Sequence, residues 1–159
     1  MELITSLIKQ LQSAKLATPS GQTISLTKGD GFRWDPSRLC IYYNPADPLA
    51  CQLILHELGH ATLGHSGYTR DIQLLQMERA AWNAANELAL QYSVDITDDT
   101  VEDHLDTYRD WIHARSLCPK CAATGVQTGP RAYQCLSCGN HWSVNEARTC
   151  GLKRVNQTK

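Results

Sequence analysis

The sequence predicts an α+β fold in two parts: helices around a short, mostly antiparallel sheet over residues 1–115, then a small cysteine-pinned domain over residues 116–159. Three observations predict it. Apolar residues recur at three- and four-residue intervals over several long stretches. Between the first two of these lie short β-branched and aromatic runs punctuated by Gly, Asp and Pro. Two C-x-x-C pairs close the chain in a Gly-containing segment.

In chain order, "MELITSLIKQLQSAKL" reads as an amphipathic helix with Leu3, Leu7, Ile8 and Leu11 on one face. Pro19 and Gly21 in "ATPSGQ" end it. "TISLT", "GFRW" and "LCIYYN" read as strands. A helix follows to about Leu63, with Asp47 as N-cap, Pro48 in the first turn and Gly64 or Gly67 at its end. Residues 72–92 form the next helix, with Leu74, Met77, Ala81, Ala84, Ala85, Leu88 and Tyr92 in its repeat. A last helix spans 100–115, with Val101, Leu105, Tyr108 and Ile112 on one side.

A chain of 159 residues, 42% apolar and 19% charged, has the composition of a globular protein with a sizeable core. No stretch approaches the ~18 apolar residues of a membrane span. The start lacks a basic head, a long apolar centre and a small-residue cleavage site, so a cytoplasmic location is expected. Seven cysteines are an odd number for a disulfide scaffold, and their spacing suits metal instead. The net charge of −1 hides an asymmetry: 9 Lys/Arg against 15 Asp/Glu through Arg115, then 6 against 1. Two parts with different partners, or parts that attract each other, fit that split.

The stretch "LILHELGHATLGH" carries the densest chemistry. On a helix, His56 and His60 lie one turn apart and both imidazoles can reach one zinc ion. Glu57, one residue round, is placed to take a proton from an attacking water. This is the HExxH arrangement of zincin metalloproteases, so Glu57 is the expected catalytic residue. The longer motif that adds a glycine and a third histidine is absent, because Leu63 and Ser66 occupy those positions. His65 fits a surface residue or an outer partner of the site better than a ligand. The following helix offers Glu78 and Glu87, nine residues and so ~180° apart. Its apolar stripe centres nearer Glu78, which makes Glu78 the expected third ligand.

"IYYNPADPLACQLILHELGHATLGH" and "MERAAWNAANELAL" together resemble the ImmA/IrrE metallopeptidases. That family's later helix has a pattern near E-x-E-A-N-x-F-A-x-E-L-L. Glu78, Ala81, Ala85, Glu87 and Leu88 match it, whereas Ala80 and Ala84 depart from it. The resemblance covers roughly residues 41–90. It implies a zincin-like domain and a cytoplasmic zinc endopeptidase that cleaves or inactivates a partner transcriptional repressor.

Zincins bind peptides as an added strand on a free sheet edge. "LCIYYN" is the candidate edge, and Tyr42 or Tyr43 is either an oxyanion donor or a core aromatic.

Cys118, Cys121, Cys135 and Cys138 form two knuckles thirteen residues apart, the spacing of a zinc-ribbon with a structural zinc. Cys40, Cys51 and Cys150 are left as buried free thiols. The ribbon's positive charge admits three uses: nucleic acid, docking on the acidic "DITDDTVEDHLD", or docking of a protein substrate. For nucleic acid, Arg131, Arg148, Lys153 and Arg154 would contact phosphate while Tyr133 and Trp142 stack on bases.

The expected function is a zinc endopeptidase with one catalytic and one structural zinc, a regulatory protein as substrate and a ribbon that binds the target or nucleic acid. One alternative is a DNA-dependent protease resembling the SprT group, with His104 or His113 as third ligand. The other is a non-proteolytic zinc protein that binds DNA or a repressor.

Overall fold

The computed structural model describes residues 2–148 and 150–157. It is α+β, with four helices and two small sheets. The chain forms two compact units, Met1–Gly67 with Gln76–Val101, and Tyr68–Leu75 with Glu102–Lys159.

The first unit holds α1 (Glu2–Ser13), β1 (Ser25–Lys28), β2 (Arg33–Asp35), β3 (Cys40–Tyr43), α2 (Ala50–Thr62) and most of α3 (Asp71–Tyr92). Helix α1 buries Ile4, Leu7 and Leu11, an i, i+3, i+7 stripe. Leu3, expected on that face, is 62% exposed, so the buried stripe is rotated towards Ile4.

The sheet order is β1-β3-β2, with β1 parallel and β2 antiparallel to β3. "LCIYYN" is therefore the central strand and not an edge: a partner on each side takes its backbone hydrogen bonds. The edge strands are β1 and β2.

Helix α2 starts at Ala50, behind an N-cap at Leu49 that makes no side-chain capping bond. Asp47, expected to cap this helix, caps the preceding turn instead, its Oδ1 accepting from the Leu49 N–H at 2.8 Å. The α2 face towards the sheet and α3 is closed by Ile54, Leu55 and Leu58, with Ile41, Ala81, Trp82 and Ala85 buried beside them.

The second unit contains the first residues of α3, most of α4 (Asp98–Ser116), and β4 (Val126–Gly129), β5 (Ala132–Gln134), β6 (His141–Val144) and β7 (Arg154–Asn156). These strands form one antiparallel sheet in the order β4-β5-β6-β7. Its core is small: Cys118, Tyr133, Cys135, Trp142 and Val144. A buried polar knot supplements it. The Tyr133 hydroxyl donates to the Asp71 carboxylate, which also pairs with Arg115 Nε at 3.2 Å. The indole of Trp142 donates to the Arg115 carbonyl at 3.0 Å. Arg115 also donates from Nη2 to the Pro130 carbonyl at 3.1 Å, whereas its buried Nη1 has no hydrogen-bond partner among the described residues and lies 3.8 Å from Glu146.

Candidate metal centre

The "HELGH" turns of α2 bury His56 and His60, with their Nε2 atoms 3.2 Å apart. Glu78, on α3, brings Oε2 to 3.0 Å from His56 Nε2 and 3.4 Å from His60 Nε2. Gly59 makes this approach possible: a Cβ on it would lie 2.4 Å from the Ala81 carbonyl oxygen. Ala81 is one turn beyond Glu78 on α3, so contact at the glycine brings the acid within reach of the histidines. Glu78 is 5% exposed, while Glu87 is exposed on the other side.

These three donors fit a zinc ion. Donors 2.0–2.1 Å from a tetrahedral zinc stand about 3.3 Å from one another, and the three separations straddle that value. Protonation also suits metal binding. Burial pushes His56 down towards its neutral form. Burial works against the Glu78 charge, but hydrogen bonds from His56 and His60 hold it far below the usual carboxylate range. The donor set is thus the His56 and His60 imidazoles and one carboxylate.

Glu57 stands outside that set. Its Oε2 accepts the backbone N–H of Trp34 at 2.6 Å, so β2 is the strand beside it. Burial pushes the Glu57 carboxyl up to about 7, against the pull of His60 and the Trp34 N–H. A carboxyl poised there can both take and return a proton near neutrality.

Two further groups support the candidate donors, and neither was read from the sequence as serving the site. Trp82 is fully buried and stacks on His56, with centroids 4.4 Å apart and planes inclined by 28°. Trp34 donates its indole Nε1 to the His65 carbonyl at 2.9 Å. His65 meets His60 through the Nδ1 atoms at 2.8 Å, so it is an outer partner of the donor set. For Trp34 and Trp82 the sequence carries only apolar weight in a strand and a helix. Gly59 did carry a signal, a glycine inside an otherwise favourable helix.

Neither tyrosine of β3 is an evident oxyanion donor. Tyr42 alternates away from Ile41 and Tyr43, its hydroxyl accepts from Arg38 and Arg33 lies over its ring. Tyr43 is 5% exposed, a core aromatic.

In the second unit, the Cys118 and Cys138 sulfurs are 3.7 Å apart and those of Cys121 and Cys135 are 3.5 Å apart. Four thiolates about 2.3 Å from a tetrahedral zinc would be separated by about 3.8 Å. The four-cysteine cluster fits a zinc ribbon. Burial opposes ionisation of Cys118, yet N–H groups of Cys121 and Lys120 aimed at its sulfur bring the thiol down to about 6. Cys40 and Cys51 are buried free thiols; Cys150, expected to be buried, is exposed.

The base-stacking role expected for Tyr133 and Trp142 does not hold. They are 2% and 0% exposed, stacked on each other inside the ribbon core. Arg148 lies over Tyr108 and Trp111, and Arg131 approaches Glu146 at 3.9 Å. Glu102 and Asp106 of the acidic stretch pair with Arg109 of their own helix.

A family model described as the IrrE N-terminal-like domain, a peptidase family, matches residues 22–111, more than half of the chain. The chain belongs to this family. The matched residues include "HELGH" and Glu78, while the four ribbon cysteines lie beyond them. No curated protein and no solved structure matches the chain. A peptidase family implies a protein substrate. No described helix is long and apolar enough to cross a membrane. Among the described residues, the groups able to hold a metal are His56, His60 and Glu78, and the four cysteines. His104 and His113, the two candidates for the third ligand of a SprT-like site, are in neither group.

Proposed function

We propose that this IrrE-like chain is a zinc endopeptidase that cleaves a partner regulatory protein such as a transcriptional repressor. The observation that carries the reading is the convergence of His56, His60 and Glu78 at zinc-ligand spacing, with Glu57 beside them and outside the donor set. The three donors hold the catalytic zinc, and Cys118, Cys121, Cys135 and Cys138 hold the structural one. Bound in the first site, zinc would supply a Lewis acid for the scissile carbonyl and would acidify the attacking water. Glu57 takes the proton from that water and hands it to the leaving amine. The Trp34 N–H keeps the Glu57 carboxylate turned towards β2, whose unpaired side is the edge an extended peptide can join. The regulatory substrate comes from the resemblance to ImmA/IrrE proteins.

For the ribbon, protein contact is the use the surface favours. Its aromatics are interior, and Leu136 at the knuckle and Val155 on β7 are 73% and 59% exposed. A ribbon that engages the target protein would bring substrate to the chain.

Cells producing the parent chain or Glu57→Gln can be compared by labelling of new protein N-termini. Both purified proteins are expected to carry two zinc ions. The parent should generate new N-termini in a transcriptional regulator, and Glu57→Gln should lower that rate by about 100-fold or more. Equal cleavage by the two proteins would overturn the assigned role of Glu57.

A further inference from the structure

The end of α2 carries more than a helix stop. Gly64 adopts φ +70, and its N–H donates to the Ala61 carbonyl at 3.2 Å. The His65 N–H donates to the His60 carbonyl at 3.0 Å. This is the glycine-terminated turn in which the residue after the glycine folds back over the third-last residue of the helix. In many such turns two apolar side chains meet at that point. Here the pair is His65 and His60, and they meet as polar groups, Nδ1 to Nδ1 at 2.8 Å.

The chemistry of a ligand imidazole gives that contact a direction. A neutral imidazole that offers Nε2 to a metal carries its proton on Nδ1. His60 Nδ1–H then donates to His65 Nδ1, which leaves the His65 proton on Nε2. Outer partners of metal-bound histidines are commonly carboxylates or carbonyls; an imidazole acceptor does the same work without adding negative charge. Trp34 secures the arrangement from the sheet. Its indole donates to the His65 carbonyl at 2.9 Å, and its backbone N–H donates to Glu57 at 2.6 Å. One residue of β2 thus touches both the proposed base and the partner of a proposed ligand.

We infer that His65, held by Trp34, is the positioning residue for His60: it sets the tautomer and rotation of that ring and thereby the tightness of metal binding. The inference rests on the reading of His56, His60 and Glu78 as a metal site.

The test uses the full chain stripped of metal and titrated with cobalt(II) against a competing chelator. Cobalt on thiolates gives sulfur charge-transfer bands, which separate the ribbon's signal from that of the His/Glu site; Glu78→Gln identifies the latter. His65→Phe keeps the ring volume without an acceptor and is expected to weaken cobalt binding at this site by about 10–100-fold. His65→Gln retains an acceptor and is expected to recover most of that loss. Trp34→Phe removes the indole N–H, keeps the backbone N–H and should fall between them. Helical circular dichroism checks that each variant is folded. Parent-like affinity in folded His65→Phe, or no recovery in His65→Gln, overturns the inference while the metal site stands. If the parent itself takes no cobalt on the histidines and Glu78, the metal reading falls and this inference falls with it.

Discussion

Gly59 sits where any side chain would collide with backbone. The Ala81 carbonyl oxygen would be 2.4 Å from its Cβ, so Gly59→Ala must push α2 and α3 apart. Overpacking of this kind costs about 1–3 kcal/mol. The same displacement moves Glu78 away from both histidines. Gly59→Ala should therefore lower the melting temperature by several degrees and lower the zinc content from two ions per chain towards one. A parent-like zinc content would show that Glu78 does not depend on this contact. At this scale the sequence was most informative where chemistry is local. His56, Glu57 and His60 lie within five residues, and helix geometry alone places them. Trp34 was not legible as part of the site, because its two hydrogen bonds reach 23 and 31 residues along the chain.

At the scale of elements, α3 shows what periodicity reveals and what it hides. Its buried positions are Asp71, Leu74, Glu78, Ala81, Trp82, Ala85 and Ala89, so two of seven are acids. Glu78 could be placed because the apolar stripe passes beside it. Asp71 opens the helix one residue before the start expected from the sequence; only the fold brings Tyr133 and Arg115 to it. Tyr133→Phe removes one donor from that carboxylate and one partner of Arg115 Nε. Its expected cost is about 1–3 kcal/mol, read as an earlier melting transition of the ribbon unit. An unchanged transition would mean that water replaces the hydroxyl without loss. Strand order was illegible for a related reason. Each run of "TISLT", "GFRW" and "LCIYYN" looks like a strand, but nothing local tells which is central. Only the fold shows that β1 pairs with β3 across a crossover, and that β3 and β2 are the strands packed against α2.

The two units of the whole molecule differ in what holds them together. The first buries a broad apolar set, with Ile41, Ile54, Leu55, Leu58, Ala81, Trp82 and Ala85 at 0% exposure. In the second, the cluster beneath the ribbon strands has five residues, two of them cysteines of the metal cluster, besides Leu74, Leu105 and Trp111 buried on its helices. Small domains of that kind draw folding energy from their metal. Chelation should therefore abolish hydrogen-exchange protection in β4–β7 while the amides of α2 stay protected. Retained protection in β4–β7 would show that the polar knot around Asp71 suffices without zinc. This division was legible in outline from cysteine spacing and the reversal of charge. The interior placement of Tyr133 and Trp142 was not, since an aromatic beside arginines reads alike whether it faces solvent or core. The central claim is that His56, His60 and Glu78 hold one metal and leave a position open for chemistry. Anomalous diffraction at the zinc edge, from crystals of the full chain, tests it most directly. Two peaks are expected, one of them about 2.0–2.1 Å from His56 Nε2, His60 Nε2 and a Glu78 oxygen, with only solvent at its remaining position. No peak there, or a protein side chain in that last position, would contradict it.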